Sequence, residues 1–245
     1  MTTTSWPLDD EVHLYGLVLP HDASELARLG GFLSPSETAR AVSLKDEQAA
    51  RRYTVGRGLL REILAGYLGI EAKQVQLTVG EHGKPYLMDH KVNLCFNLAH
   101  SGDNFLLAIA SKGEVGIDIE MIAPGKPLEE MARMVFSRQE LAGWSRLPAS
   151  DREAAFYRCW VRKEACLKAC GSGFSLPGNS FDVSTVDEKP TVMMAFCHQK
   201  YWQIVDIDGP PRYCAALAIE ACCSTQPPPQ MVRVEHRLSY NQLYS

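Results

Sequence analysis

The chain lacks any apolar run near the ~20 residues that a membrane span requires. Its opening, Met1-Thr2-Thr3-Thr4-Ser5-Trp6, has neither the basic nor the apolar region of a secretory signal, so a cytoplasmic protein is expected. No paired C-x-x-C spacing is present, which excludes the common zinc folds. The eight cysteines fall inside helical or apolar stretches or, at Cys222-Cys223, side by side; they read as small buried hydrophobes in a reducing compartment, not as a disulfide framework. A surplus of one charge is missing too. With a net charge of −4 there is no global attraction for nucleic acid, and any phosphate-binding surface must be local. Nor is there an internal sequence repeat. What remains is an ordinary soluble composition, 46% hydrophobic and 22% charged, over 245 residues: enough for one large domain or two small ones.

The most informative short stretch is Val115-Gly116-Ile117-Asp118-Ile119-Glu120. It reads as a strand, whose period of two sends the isoleucines to one face and both carboxylates to the other. Two ionised carboxylates about 7 Å apart along a strand repel each other, and a divalent cation relieves the repulsion. Oxygen ligands suit Mg²⁺, which takes one or two carboxylates and completes its shell with substrate phosphates and water. A half-exposed strand with a plain acidic face is the alternative reading.

A long helix is expected from Ser150 through Cys170, opened by a capping box at Ser150-Asp151-Arg152-Glu153 and closed at Gly171-Ser172-Gly173. By helical spacing Phe156, Trp160, Lys163, Glu164 and Leu167 share a stripe. Charge on an apolar stripe needs a partner, and a metal or a phosphate is one. Glu164 supplies the third carboxylate that the acidic strand lacks. Lys168 lies one turn beyond it, where a plain helix ion pair is the competing explanation.

Upstream, Ser34-Pro35-Ser36-Glu37 forms a capping box, and helical spacing continues, broken near Lys45-Asp46, to a stop at Gly69. Within it Arg57 and Arg61 share a face, while Gly56 and Gly58 point to close approach of a ligand or of another segment. Strands are expected at Val12–Leu19, Val75–Val79, Leu94–Leu98 and Phe105–Ala110. Proline stiffens the turn at Gly83-Lys84-Pro85, and the strand Phe96-Asn97-Leu98-Ala99 ends by displaying His100 and Ser101. A short helix at Leu128–Val135 and a capped one from Ser137 come after the acidic strand. A meander over Phe181–Val186, Thr191–Cys197, Tyr201–Ile207 and Tyr213–Glu220 leads to an extended, proline-rich tail able to wrap back.

Taken together, Gly83-Lys84-Pro85, Phe96-Asn97-Leu98-Ala99-His100-Ser101, Gly116-Ile117-Asp118-Ile119-Glu120 and Trp160-Val161-Arg162-Lys163-Glu164-Ala165-Cys166-Leu167-Lys168-Ala169 resemble, in order and spacing, the 4′-phosphopantetheinyl transferases of the surfactin-synthetase-activating (Sfp) type. The similarity runs from about Leu33 to Asp182 and more weakly to Glu220. The family often has Ser-His-Ser where this chain has Ala99-His100-Ser101, and Ser or Thr where it has Val161; neither change removes a charge.

The resemblance implies an α+β fold of two similar subdomains with pseudo-twofold symmetry, each a small antiparallel sheet packed with helices, over residues 1–113 and 114–245. It implies a Mg²⁺-dependent enzyme, with Mn²⁺ as the other candidate cation, that transfers the 4′-phosphopantetheine arm of coenzyme A to a serine of an apo acyl or peptidyl carrier protein. The enzyme releases adenosine 3′,5′-bisphosphate. By the same resemblance Asp118, Glu120 and Glu164 are metal ligands, and Glu164, or a metal-bound water it orients, takes the serine proton. Lys163 and Lys168 contact the pyrophosphate, with Lys168 shielding the leaving oxygen. His100 contacts the 3′-phosphate, beside Ser101, and Lys84, Pro85, Arg57 and, more loosely, Arg52 complete the nucleotide site. The Met121–Phe136 segment, with Met131 and Phe136, is expected to dock the carrier helix. A monomer with neither nucleic-acid nor membrane partners completes the expectation. Its rivals are a Mg²⁺-dependent hydrolase of coenzyme A or another nucleotide, which needs no carrier, and a nucleotide-binding module whose affinity is indifferent to Mg²⁺.

Overall fold

In the computed structural model, residues 5–89, 92–171, 176–183, 193–197, 199–222 and 230–234 are described. The chain runs twice through one succession of elements. The first pass is β1 (Glu11–Val18), α1 (Ala23–Gly30), α2 (Pro35–Ser43), α3 (Glu47–Leu68), the hairpin β2 (Leu77–Val79) and β3 (Pro85–Leu87), then β4 (Cys95–Ser101) and β5 (Asn104–Ala110). The second is β6 (Val115–Met121), α4 (Leu128–Val135), α5 (Arg138–Arg146), α6 (Ala149–Cys170), β7 (Met193–Cys197), β8 (Lys200–Ile207) and β9 (Tyr213–Ala221). The three helices of each pass have the same lengths, 8, 9 and 22 residues, a repeat of form without a repeat of sequence. This is the α+β arrangement that the alternating and helical patterns imply.

Besides the two-stranded β2–β3 hairpin, the described residues form two four-stranded sheets. One has the order β6-β9-β8-β7; in the other, β1-β5-β4, a last strand β10 (Gln230–Arg233) adds parallel to β1, so the tail wraps back onto the first sheet. The sheets pack face to face. Val12, Leu14, Leu106 and Ala108 of one meet Val115, Ile117, Ile119 and Leu217 of the other. All seven residues of β5 are buried, because α3 covers its second face. Helix α6 covers the second sheet in the same way, over Trp202, Ile204, Ala216 and Ala218. Each fully buried isoleucine at 117 and 119 contributes roughly 1.5–3 kcal/mol.

Local signals explain most helix ends. Ser34 and Ser137 close capping boxes with Glu37 and Glu140, Asp46 caps α3 after the break at Lys45-Asp46, and Gly69 and Gly171 end the long helices with φ of 65°. The box expected at Ser150 does not form. Helix α6 starts at Ala149 behind Pro148, so Ser150 lies inside the first turn and bonds Asp151 instead. Helix α1, capped by Asp22, and the short β3 and β10 carry patterns too brief to have been read. Of the strand expected over Phe181–Val186, residues 181–183 are not strand; the remainder, with the start of the Thr191–Cys197 strand, lies outside the described residues.

Two glycines let chain segments approach closely. A Cβ at Gly58 would stand 2.6 Å from the carbonyl oxygen of Leu29, so the glycine admits another segment, α1, rather than a ligand. At Gly116 a Cβ would lie 2.1 Å from the Ala165 carbonyl oxygen and 2.3 Å from the Ala169 nitrogen. Strand β6 and helix α6 therefore meet backbone to backbone. Replacing Gly116 by alanine must push the helix away; overpacking of this kind costs about 1–3 kcal/mol, and here no flexible side chain can give. Gly116→Ala is expected to lower the melting temperature by roughly 5–10 °C, read by calorimetry, and a value within about 1 °C of wild type would refute the contact.

Candidate active site

A cavity of about 360 Å³ opens between the two halves. Arg57, Lys84, Pro85 and Asn97 line it from the first half, and Glu164, Leu167 and Lys168 from α6. Strand β4 lies along β6 through side chains. The Ile117 N–H donates to Asn97 Oδ1 at 2.9 Å, and the Met121 N–H to Ser101 Oγ at 3.1 Å. Asn97, legible only as a strand-edge hydrogen-bonder, thus helps to join the halves.

Because Gly116 seats α6 on β6, Asp118, two residues along the same strand face, meets the helix. Lys168 Nζ donates to Asp118 Oδ1 at 2.6 Å, while Oδ2 is buried without a hydrogen-bond partner. Burial pushes the Asp118 carboxyl up to about 6; Lys168 opposes the rise, and the charges of Glu120 and Glu164 add to it. Glu164 is raised as well, first by burial and then by Glu120, again against Lys168. Glu120 accepts from Ser101 Oγ at 3.1 Å, so Ser101 orients an acid. The three carboxylates expected to act together therefore share one electrostatic neighbourhood. As placed, no three His, Cys, Asp or Glu side chains among the described residues are gathered to hold a metal ion. The donor set still suits one: hard oxygens, an unsatisfied buried acceptor, and acids that repel each other.

Besides Lys84 and Lys168, only Arg57 of the expected cations lines the cavity; Arg52 and His100 are not among its lining residues. Arg52 Nε donates to Asp103 Oδ1 at 2.9 Å; Asp103 also takes Arg51 and, at 2.9 Å, His21. The nearby His100 is held below its ordinary pKa by desolvation and then by Lys168 and Arg52. Arg57 reaches the cavity while packing over Tyr53. Arg61, on the same helix face, turns inward to Glu37 at 2.7 Å and the Val75 carbonyl at 2.7 Å and serves the fold.

Three expected contacts depart from the sequence pattern. Lys163 is fully buried on the far side of α6, paired with Glu140 at 2.7 Å and donating to the carbonyls of Gly178 and Phe181, at 2.7 and 2.6 Å. Adjacent helix residues diverge by about 100°, which separates Lys163 from Glu164 even though both fit one stripe by eye. Glu140 is legible as a capping residue but gives no hint of this second role. Lys84 has its ammonium bonded within the protein. Phe136, expected on a docking surface, is buried against Phe156 and Trp144, leaving Met121 and Met134 as the exposed apolar residues of that segment.

Residues 114–218 match the sequence profile of the 4′-phosphopantetheinyl transferase superfamily, and residues 20–112 that of the 4′-phosphopantetheinyl transferase N-terminal region. The chain is 41% identical over 170 residues to the 4′-phosphopantetheinyl transferase HetI of Nostoc sp. (strain PCC 7120), covering 69% of this chain and 72% of that protein. It is 31% identical over 176 residues to the transferase Sfp of Bacillus subtilis (strain 168), covering 69% and 75%. To the transferase AcpT of Salmonella typhimurium (strain LT2) it is 34% identical over 157 residues, covering 63% and 74%.

The raised Asp118 pKa has a consequence for stability. A carboxyl whose folded pKa exceeds its unfolded value favours the fold when protonated, and that benefit is lost as pH rises through about 6. Moving from 3.8 to about 6 makes ionisation cost the fold about 3 kcal/mol. In the presence of a chelator, Asp118→Asn is expected to melt several degrees above wild type at pH 7.5, with the gap closing towards pH 4. A gap that does not change with pH would contradict the assignment.

Proposed function

The chain belongs to the 4′-phosphopantetheinyl transferase superfamily, and from that premise we propose how its cavity performs the transfer. A serine hydroxyl of an apo carrier protein attacks the pantetheine-bearing phosphorus of coenzyme A. The new Ser Oγ–P bond replaces the bond to the bridging oxygen, which leaves with adenosine 3′,5′-bisphosphate. The observation that carries this reading is that Lys168, which lines the cavity between the halves together with Glu164, holds the buried Asp118 at 2.6 Å behind it.

Asp118, through its unpartnered Oδ2, would hold Mg²⁺ with Glu120 and Glu164. When bound, the cation polarises the phosphoryl group and screens the charge of the leaving group. The remaining work falls to side chains of this chain. Lys168 alternates between Asp118 and the pyrophosphate, and its ammonium shields the departing oxygen. His100, Arg52 and Arg57 bind the nucleotide phosphates, while Pro85 and the stem of Lys84 shape the wall. Glu164, or a metal-bound water it orients, accepts the serine proton. This reading places the enzyme in the cytoplasm as a monomer, acting on coenzyme A and a carrier protein and on neither nucleic acid nor membrane. No helix among the described residues is long and apolar enough to cross a membrane.

Incubation of the protein with coenzyme A, Mg²⁺ and an apo acyl carrier protein is expected to add one phosphopantetheine mass to the carrier, and chelation to abolish the addition. Glu164→Gln should reduce the rate by about 10²-fold or more while leaving the fold intact, as expected for loss of a general base. Mass addition at near wild-type rate by that variant would remove Glu164 from the chemistry. His100→Ala should weaken binding of coenzyme A more than that of 3′-dephospho-coenzyme A, measured by calorimetry; equal losses would refute the 3′-phosphate contact.

A further inference from the structure

Lys84 precedes β3 on the hairpin of the first half, and its side chain is only 6% exposed. Its ammonium donates to Glu114 Oε2 at 2.6 Å, to the Val115 carbonyl at 3.1 Å and to the Ala169 carbonyl at 3.1 Å. A lysine has three N–H donors and no acceptor, so these bonds use its whole capacity. None is left for a nucleotide phosphate. All three acceptors belong to the second half: Glu114 and Val115 enter β6, and Ala169 lies in the last turn of α6. The final carbonyls of a helix have no partner within it, and a cation there also meets the negative end of the helix dipole.

A second side chain of the same hairpin closes on this point. The ring of Tyr86 lies 5.4 Å from the Lys84 ammonium, and its hydroxyl would stand 2.9 Å from a Cβ at Gly171, the left-handed residue that ends α6. The junction is also where Gly116 admits Ala165 and Ala169 against β6. Contact and clamp thus meet at one place. Glu164 and Lys168 extend from that turn of helix, and Asp118 from that strand.

We propose that Lys84 is a positioning residue, locking the β2–β3 hairpin onto the start of β6 and the end of α6 and so fixing Glu164 and Lys168 against Asp118, without its ammonium touching the nucleotide. The inference rests on the transferase reading only for its activity readout. A displacement of about 1 Å at a reacting group can cost about 10²-fold in rate, so a clamp of this kind shows in kcat before it shows in affinity.

The test compares Lys84→Met, Lys84→Arg, Glu114→Gln and the double variant Lys84→Met/Glu114→Gln in transfer kinetics, coenzyme A calorimetry and thermal melting. For a clamp, Lys84→Met and Glu114→Gln each lower kcat by about tenfold or more and change the coenzyme A Kd by less than about threefold, and the double variant loses no more than the worse single one. For a phosphate ligand, Lys84→Met weakens coenzyme A by more than about tenfold at unchanged kcat. Glu114→Gln, by freeing the ammonium, then tightens it. That pair of results overturns the proposal. Should Lys84→Met fail to fold, Lys84→Arg and Glu114→Gln still decide it, since a clamp predicts loss of kcat in Glu114→Gln and a phosphate ligand predicts gain of affinity. If the wild-type protein transfers nothing, the transferase reading falls by itself. The clamp is then judged by melting alone: non-additive losses between positions 84 and 114 support it, and additive losses refute it.

Discussion

The backbone contact between β6 and α6 at Gly116 governs the geometry around the cavity. Ala165 and Ala169 lie four residues apart and rest on the strand; Glu164 and Lys168, each one residue earlier, are likewise four apart and border the cavity. Asp118 shares the strand face of Gly116 because side chains alternate. One missing side chain therefore sets the distance between an acid on the strand and a lysine on the helix. Any larger residue would lift α6 and separate them together, not one by one.

Saturation separates the lysines of this region more clearly than burial does. Lys163 and Lys84 are both enclosed, and each ammonium has protein acceptors for all its donors. Buried ion pairs of this kind add little net stability over apolar packing but cost heavily when broken, which suits them to fixing a geometry. Lys168 differs. It holds one oxygen of Asp118, remains about a third exposed, and has donors to spare for a ligand. The acid it partly neutralises has a raised pKa and a second oxygen free of protein partners, open to a ligand.

Much of this was legible in the chain alone. Alternating isoleucines placed β6 with one face in the core, capping boxes at Ser34 and Ser137 marked two helix starts, and the motif order pointed to the family. The same reading ran out where side-chain direction depends on tertiary context. Lys163 and Glu164 are neighbours in sequence but serve opposite faces of α6. Phe136 looked available beside an exposed helix, yet the rings of Trp144 and Phe156 enclose it. Gly56 and Gly58 left open whether a ligand or a segment approached; the Phe105 ring beside Gly56 and the Leu29 backbone against Gly58 answer that. Lys84 was the hardest case, since nothing in Gly83-Lys84-Pro85 reveals that its acceptors lie 30 and 85 residues away.

The repeated succession of elements also shows how one architecture separates scaffold from chemistry. In the first half, the strand face that meets the long helix carries His13 and Tyr15, and α3 answers with Tyr67. The Tyr67 hydroxyl lies 2.6 Å from His13 Nδ1 and 2.9 Å from the Tyr15 hydroxyl, in a buried network where desolvation holds His13 below its ordinary pKa and so favours its neutral form. In the second half the corresponding face of β6 carries Asp118 and Glu120, and α6 answers with Glu164 and Lys168. Apart from Glu11, which lies 3.8 Å from His13 Nε2, the His13–Tyr15–Tyr67 network is uncharged and satisfies its hydrogen bonds internally. A carboxylate cluster with one lysine among three acids keeps an excess of negative charge, which a proton on Asp118 or an added cation relieves. The glycines obey the same division. Gly58, on the helix of the first half, serves packing against α1, whereas Gly116, on the strand of the second, brings the charged helix down onto the acids. The asymmetry of charge, laid over a symmetric order of elements, is what gathers the acids and Lys168 at the second half's edge of the cavity.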